Sequence, residues 1–441
     1  MKIKIRPSYG VVAVIGLFAI IGVALIMTGR AATMMAHQEA EVGSLSGAAS
    51  VTRDADASAG AAVAFGVQPG GKPTFGFRMF GGADDPARIG TANMKRYDVY
   101  LLSPYMVQIA KVVKQQNPSA KTFMYKDPTS TRTTGACVPD AAGLDWGVDY
   151  CDADKSHASW FMTKGGQRFQ YAGYSGHWHL DVGASGYKEA YAANVLADLK
   201  RNQAWDGVFM DNIMADIRAY VPGGVFPDQY KDQASAQNAY ASFTDYVGKT
   251  LSAAGFGSMG NNNGARLVPG LWNKYTAGTT GGYDEFWTTF GDANLPLYDG
   301  VGWEAQMAEV DSMISRGKLG VFTAQTKDGS CKTCQSYGYA SYLLANDGTQ
   351  TYVEGNVDTQ TGGWINNAAM YSWDLGTPQA ARSQPQTNLF QRQYSKGLVF
   401  VNADKSASRN VQLAKPYLDM SGKSVTSITV GPLSGVILRQ P

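Results

Sequence analysis

The chain has 441 residues, with 38 Lys and Arg against 36 Asp and Glu and a formal net charge of +2. That is ample length for one large domain and a small one. Residues 1–30 hold four of the bases and no acid, so the remainder carries 34 against 36 and offers no basic footprint for a nucleic acid.

The N-terminus places Lys2, Lys4 and Arg6 before Val11–Met27, a run of 17 residues without a charge. A positive flank and apolar core mark export or membrane insertion, and residues 1–30 read as a signal-anchor with the membrane as partner, or as a removed signal peptide. Residues 31–73 form a Gly/Ala/Ser-rich linker. Within it, residues 38–66 resemble the opening of a β-sandwich carbohydrate-binding module, with Glu39, Glu41, Asp56 and Phe65 in matching positions. A full module needs roughly 100 residues, so this is a remnant, a graft or a linker.

From residue 74 short apolar strands alternate with helical stretches, the pattern of a parallel α/β architecture. Strands are predicted at 74–80, 121–127, 177–182, 207–212, 255–261, 282–287, 319–326 and 351–354, and helices at 104–116, 187–201, 234–254, 303–316 and 337–345. Eight strands predict a closed (β/α)8 TIM barrel over 74–384. The long connection 128–176 is expected to shape a binding site. After residue 385 strands alternate with turns, at 398–402, 410–414, 424–430 and 435–439, predicting a small antiparallel β-sandwich-like domain over 385–441 that packs on the barrel.

All four cysteines follow the apolar run, in a compartment where disulfides persist. Two loop-closing bridges, Cys137–Cys151 and Cys331–Cys334, are the preferred pairing; four cysteines allow three pairings, and sequence alone does not choose among them. Cys331-Lys-Thr-Cys334 also reads as half a zinc site or a redox motif, without a second such pair or a nearby His to complete it.

Four predicted strand ends deliver carboxylates: Asp127, Asp181, Asp211 and the adjacent Asp284 and Glu285. The C-terminal ends of barrel strands form the active-site face. A strand-end Asp alone can equally cap the next turn, but four in series point to a site. Side chains alternate along a strand, so Tyr125 shares a face with Asp127, His177 and His179 share one with Asp181, and only one of Asp284 and Glu285 can face inward. A facing carboxylate pair is the minimal machinery of glycoside hydrolysis. The 24 Tyr and 9 Trp also suit sugar binding, since ring faces pack on apolar sugar faces. His177, His179 and Asp181 could alternatively hold a metal ion, although imidazoles in a sugar pocket more often donate to hydroxyls, and no metal or cofactor is expected. No HExxH, P-loop or G-x-S-x-G occurs.

The segments Asp181-Val-Gly, Trp205-Asp-Gly-Val-Phe-Met-Asp-Asn212, Gly281-Gly-Tyr-Asp-Glu-Phe-Trp287 and Tyr339-Ala-Ser-Tyr-Leu-Leu344 resemble hypothetical glycosyl hydrolase family fifteen, of the α-galactosidase-type TIM-barrel superfamily. So does the ending from Asp374 through Gly397-Leu-Val-Phe-Val-Asn402 to Leu438. The resemblance implies that the aspartate ending the fourth strand, Asp211, is the nucleophile and that an acid after the sixth is the proton donor. Glu285 is preferred to Asp284 for its longer reach. Asp127 and Asp181 would then hold sugar hydroxyls, as would Asn212 and Asn262. The expected function is an exported, membrane-anchored hydrolase of oligo- or polysaccharide; the alternative is a surface-anchored carbohydrate-binding protein on an inactive barrel.

Overall fold

The computed structural model describes residues 49–53, 61–65, 72–133, 137–290, 293–296, 302–326, 330–356 and 369–441. The N-terminal unit contributes an antiparallel pair, Ala49–Arg53 with Ala61–Phe65. The apolar run and Glu39, Glu41 and Asp56 lie outside the described residues. Among the described residues no helix is long and apolar enough to cross a membrane.

In the unit from residue 66 onward, eight strands form one parallel sheet: β1 (Gly76–Met79), β2 (Val99–Leu102), β3 (Lys121–Lys126), β4 (Gly207–Met210), β5 (Gly257–Asn261), β6 (Gly281–Glu285), β7 (Leu319–Gln325) and β8 (Thr351–Asn356). Each pairs with its sequence neighbour, and a parallel bridge from Phe75 to Val353 joins β8 back to β1. The sheet is therefore a (β/α)8 barrel. Its helices include α1 (Val107–Gln116), α2 (Tyr187–Asn202), α3 (Gln233–Ala253), α4 (Trp303–Ser315) and α5 (Lys332–Ala345). A Cβ on Gly207 would lie 2.2 Å from the Gly257 carbonyl oxygen, so β4 and β5 start in backbone contact that only glycine permits.

Two layers of apolar side chains hold the barrel. Val99, Leu101, Phe123, Tyr125, Phe209, Met259, Tyr283, Val321 and Tyr352 fill the interior. Met124, Val208, Met210, Phe322 and Val353 face the helices. Each such side chain contributes about 1.5–3 kcal/mol on burial.

One strand prediction is corrected. Residues 177–182 do not enter the barrel: His177–His179 is a three-residue strand paired antiparallel with Ser130–Arg132 in the connection between β3 and β4. Its place in the count belongs to β2, Val99-Tyr-Leu-Leu102, buried at every position. A fully buried parallel strand is a continuous apolar run, which His-Trp-His is not. The two errors cancel in the count, so Asp211 still follows the fourth strand and Glu285 still ends the sixth.

The C-terminal strands form an antiparallel sheet of β9 (Ser383–Gln386), β10 (Leu389–Tyr394), β11 (Gly397–Asn402), β12 (Arg409–Leu418), β13 (Ser424–Val430) and β14 (Ser434–Arg439), in the order β9-β10-β11-β14-β12-β13. The layer opposing it is α5 rather than a second sheet. The Tyr394 hydroxyl donates to the Leu343 carbonyl at 2.6 Å, and Arg392 Nη1 to the Asn346 carbonyl at 2.8 Å, so the helix C-terminus finds its partners in the sheet.

Candidate active site

Alternation along the strands decides what reaches the barrel mouth. Phe209, Met259 and Tyr283 point inward, so the residues two further on, Asp211, Asn261 and Glu285, share that direction. β4 stops at Met210, and Asn212 takes a left-handed conformation (φ 56°) that Asn tolerates better than most residues. The Tyr125 hydroxyl donates to Asp211 Oδ2 at 2.7 Å. The Asn261 side-chain amide donates twice, to Asp211 Oδ1 at 2.9 Å and to Glu285 Oε2 at 2.7 Å. Both oxygens lie on one nitrogen, so the two distances together cap their separation at about 5.6 Å.

Beneath Glu285 sits a buried cation. Arg78 on β1, 2% exposed, places Nη1 2.5 Å from Glu285 Oε1 and Nε 3.0 Å from Glu354 Oε1 on β8. The Tyr283 hydroxyl donates to Glu354 Oε2 at 2.7 Å. Burial penalises the Arg78 charge, but Glu354 and Glu285 outweigh it and raise the guanidinium pKa, so the group stays charged. Burial, with Glu285 and Asp127 nearby, pushes Asp211 up to about 6 against the hydrogen bonds from Tyr125 and Asn261.

The other residues expected at the site occupy different positions. Asp127 is 1% exposed and organises the turn after β3: Oδ1 accepts from the Thr129 backbone and hydroxyl, both at 2.8 Å, and Oδ2 from Ser130 at 2.6 Å and from Asn212 at 3.2 Å. Asp181 accepts from the Tyr230 hydroxyl and from the Gly183 backbone at 2.9 Å, and burial raises its pKa. His179 is fully buried between Phe169 and Tyr171, and burial lowers it to about 4, so it is neutral. His177 is half-buried beside Tyr171 and Tyr174. Asp284 faces outward, with its neighbour Glu309 on α4; the Gln306 amide, oriented to satisfy its surroundings, donates to Asp284 and to Glu309. Burial raises both acids, and the neighbouring Asp284 raises Glu309 further. Asn262 likewise faces out, and Asn261 stands between the carboxylates in its stead.

The cysteines form disulfides Cys137–Cys151 and Cys331–Cys334. Cys137, Asp149 and Cys151 are the one group of potential metal ligands among the described residues; the disulfide occupies the sulfurs, and Asp149 caps the helix Tyr150–Ser156.

A model described as Hypothetical glycosyl hydrolase family 15 matches residues 114–398, more than half of the chain. The chain belongs to that family. No curated protein matches it. Among solved structures it is similar to the glycoside hydrolase domain of PelA from Pseudomonas aeruginosa, at 14% identity over 64% of this chain and 94% of that one, TM-score 0.40. It is also similar to a GH27 β-L-arabinopyranosidase from Geobacillus stearothermophilus, at 10% identity over 84% and 96%, TM-score 0.46. A maltogenic α-amylase from Thermotoga neapolitana matches at 11% over 83% and 97%, TM-score 0.44.

For this member of family 15, sequence reasoning missed Arg78, Asn261 and Glu354. Each had a signal. Arg78 is the charge inside Phe75-Gly-Phe-Arg-Met-Phe80, and Asn261 and Glu354 lie two residues beyond inward-facing Met259 and Tyr352.

Proposed function

We propose that this glycosidase hydrolyses oligo- or polysaccharide with retention of anomeric configuration, Asp211 attacking the anomeric carbon and Glu285 protonating the leaving oxygen. The observation that carries the reading is the pair bridged by Asn261, its nearest oxygens within about 5.6 Å. Retaining enzymes hold their carboxyls about 5–5.5 Å apart, whereas inverting ones need about 6.5–9.5 Å to admit water. Tyr125 and Asn261 hold the attacking oxygens in place, and Glu285 returns as base when water releases the glycosyl-enzyme.

One observation favours exchanged roles. Glu285 is ion-paired with Arg78, whereas the surroundings of Asp211 raise its pKa and so favour its acid form. In that second reading Glu285 attacks and Asp211 donates. The experiment is a screen of aryl α- and β-glycosides, then trapping with the 2-deoxy-2-fluoro analogue of the best substrate and peptide mass spectrometry. A label on Asp211 supports the first reading and one on Glu285 the second. No turnover of any glycoside, with sugar binding retained, would leave a carbohydrate-binding barrel.

Export is part of the proposal. Two disulfides suit an oxidising compartment, and the charge-flanked apolar run at 11–27 would carry the chain out and anchor it. Asp181 and His177 are proposed to contact substrate hydroxyls. Asp127, His179, Asn212 and Asp284 are proposed to support the site from behind.

A further inference from the structure

Three large aromatic side chains among the described residues are substantially exposed: Tyr105, Tyr174 and Phe290, at 40%, 52% and 58%. All three follow C-terminal ends of barrel strands, β2, β3 and β6, so the exposed rings gather on the face that carries the acids. Two of them belong to built groups. On the side of β3 and β4, Tyr171 and Tyr220 stack with centroids 4.7 Å apart and planes at 2°, and Tyr174 packs edge-on to Tyr220 at 5.8 Å. Tyr171 is fastened to the site through Thr129, which shares a hydrogen bond with its hydroxyl and donates to Asp127 at 2.8 Å. Burial and then Asp211, Tyr174 and Asp127 push the Tyr220 pKa up, which sets its hydroxyl within the field of the acids. On the side of β6, Phe286 directly follows Glu285 and stacks on Phe290 at 4.4 Å and 18°. Arg266 Nη1 holds the Phe286 carbonyl at 3.1 Å. β5, with Asn261, lies between the two groups in the barrel order.

An exposed ring held in a fixed stack presents an apolar face with little rotamer entropy left to lose on binding. Pyranose rings have apolar faces of matching size, and two such platforms flanking the acids fit sugar units on both sides of the bond that breaks. We infer that Tyr174 with Tyr220, and Phe286 with Phe290, are sugar-stacking platforms, and that the substrate is an internal stretch of a polysaccharide rather than a terminal sugar. This rests on the glycosidase reading for the cleavage but not for the binding.

The test is affinity electrophoresis of the full chain in gels containing soluble starch, galactomannan, arabinogalactan or chitosan, comparing Asp211→Asn with Asp211→Asn carrying Tyr174→Ala or Phe290→Ala. Both positions are exposed, so the fold tolerates them. Each platform substitution is expected to weaken retardation by the bound polymer about tenfold, equivalent to ~1.4 kcal/mol. With wild-type protein, the same polymer should yield mixed oligosaccharides early rather than one small product. Equal retardation of all three proteins, or retardation by none of the four polymers, overturns the platforms. Release of a single terminal sugar from the start overturns the internal-chain assignment. Weakened binding without turnover by the wild type would keep the platforms and sink the hydrolase reading instead.

Discussion

Arg78→Met removes the cation on which the lower half of the site depends. Glu354 is 1% exposed and keeps only Tyr283 and Thr323 as partners once Arg78 Nε, 3.0 Å away, is gone. Leaving one member of a buried pair costs about 3–5 kcal/mol, and with a urea slope near 3 kcal/mol per M the midpoint should fall by roughly 1–1.7 M. The loss depends on pH. Burial already raises Glu354 above its ordinary 4.5 while Arg78 opposes the rise, and without Arg78 the folded-state pKa climbs further. A raised folded-state carboxyl binds its proton more tightly than the unfolded chain does. The penalty is therefore absent below about 4.5 and grows as pH rises toward the new folded value. Urea titrations at pH 5 and pH 8 should show the larger loss at pH 8, and Glu354→Gln added to Arg78→Met should recover most of it. Arg78→Lys, which keeps a charge but not the fork, should fall between. An unchanged midpoint, equal losses at both pH values, or no rescue by Glu354→Gln would refute the argument.

Three further outcomes are expected. Asp211→Asn should abolish turnover yet stabilise the fold at pH 8 by on the order of 1–3 kcal/mol, because a carboxyl raised from 3.8 to about 6 costs stability as pH rises through that window; denaturant titration should show the gap closing toward pH 4. Tyr125→Phe deletes a donor to Asp211 Oδ2, so kcat/KM should drop roughly 10–100-fold and the ionisation of Asp211 in the pH-rate profile should move upward; an unaltered profile counts against a direct role. Non-reduced peptide mapping should recover Cys137 with Cys151 and Cys331 with Cys334, and a crossed pair would contradict the fold of the long connection.

The barrel was legible because its strands are short apolar runs ending in turns, a signal carried by neighbouring residues. The strand ends at Asp211 and Glu285 were legible for the same reason, as abrupt acids where such runs stop. His177–His179 misled because a period-2 pattern identifies a strand without naming the sheet it joins; β2 was missed because its four apolar residues also suit a helix. Pairing partners lie far apart in the chain, and only closure of the barrel selects among them. Closure likewise makes neighbours of Arg78, Glu285 and Glu354, from β1, β6 and β8, and it sets Asn261 between two acids. The pairing of Glu285 with Arg78, the raised pKa of Asp211 and the gap between the two acids depend on burial and distance, quantities that belong to the packed molecule. Local sequence chose the residue types at the strand ends. The curvature of the sheet decided which of them face one another and which are buried supports.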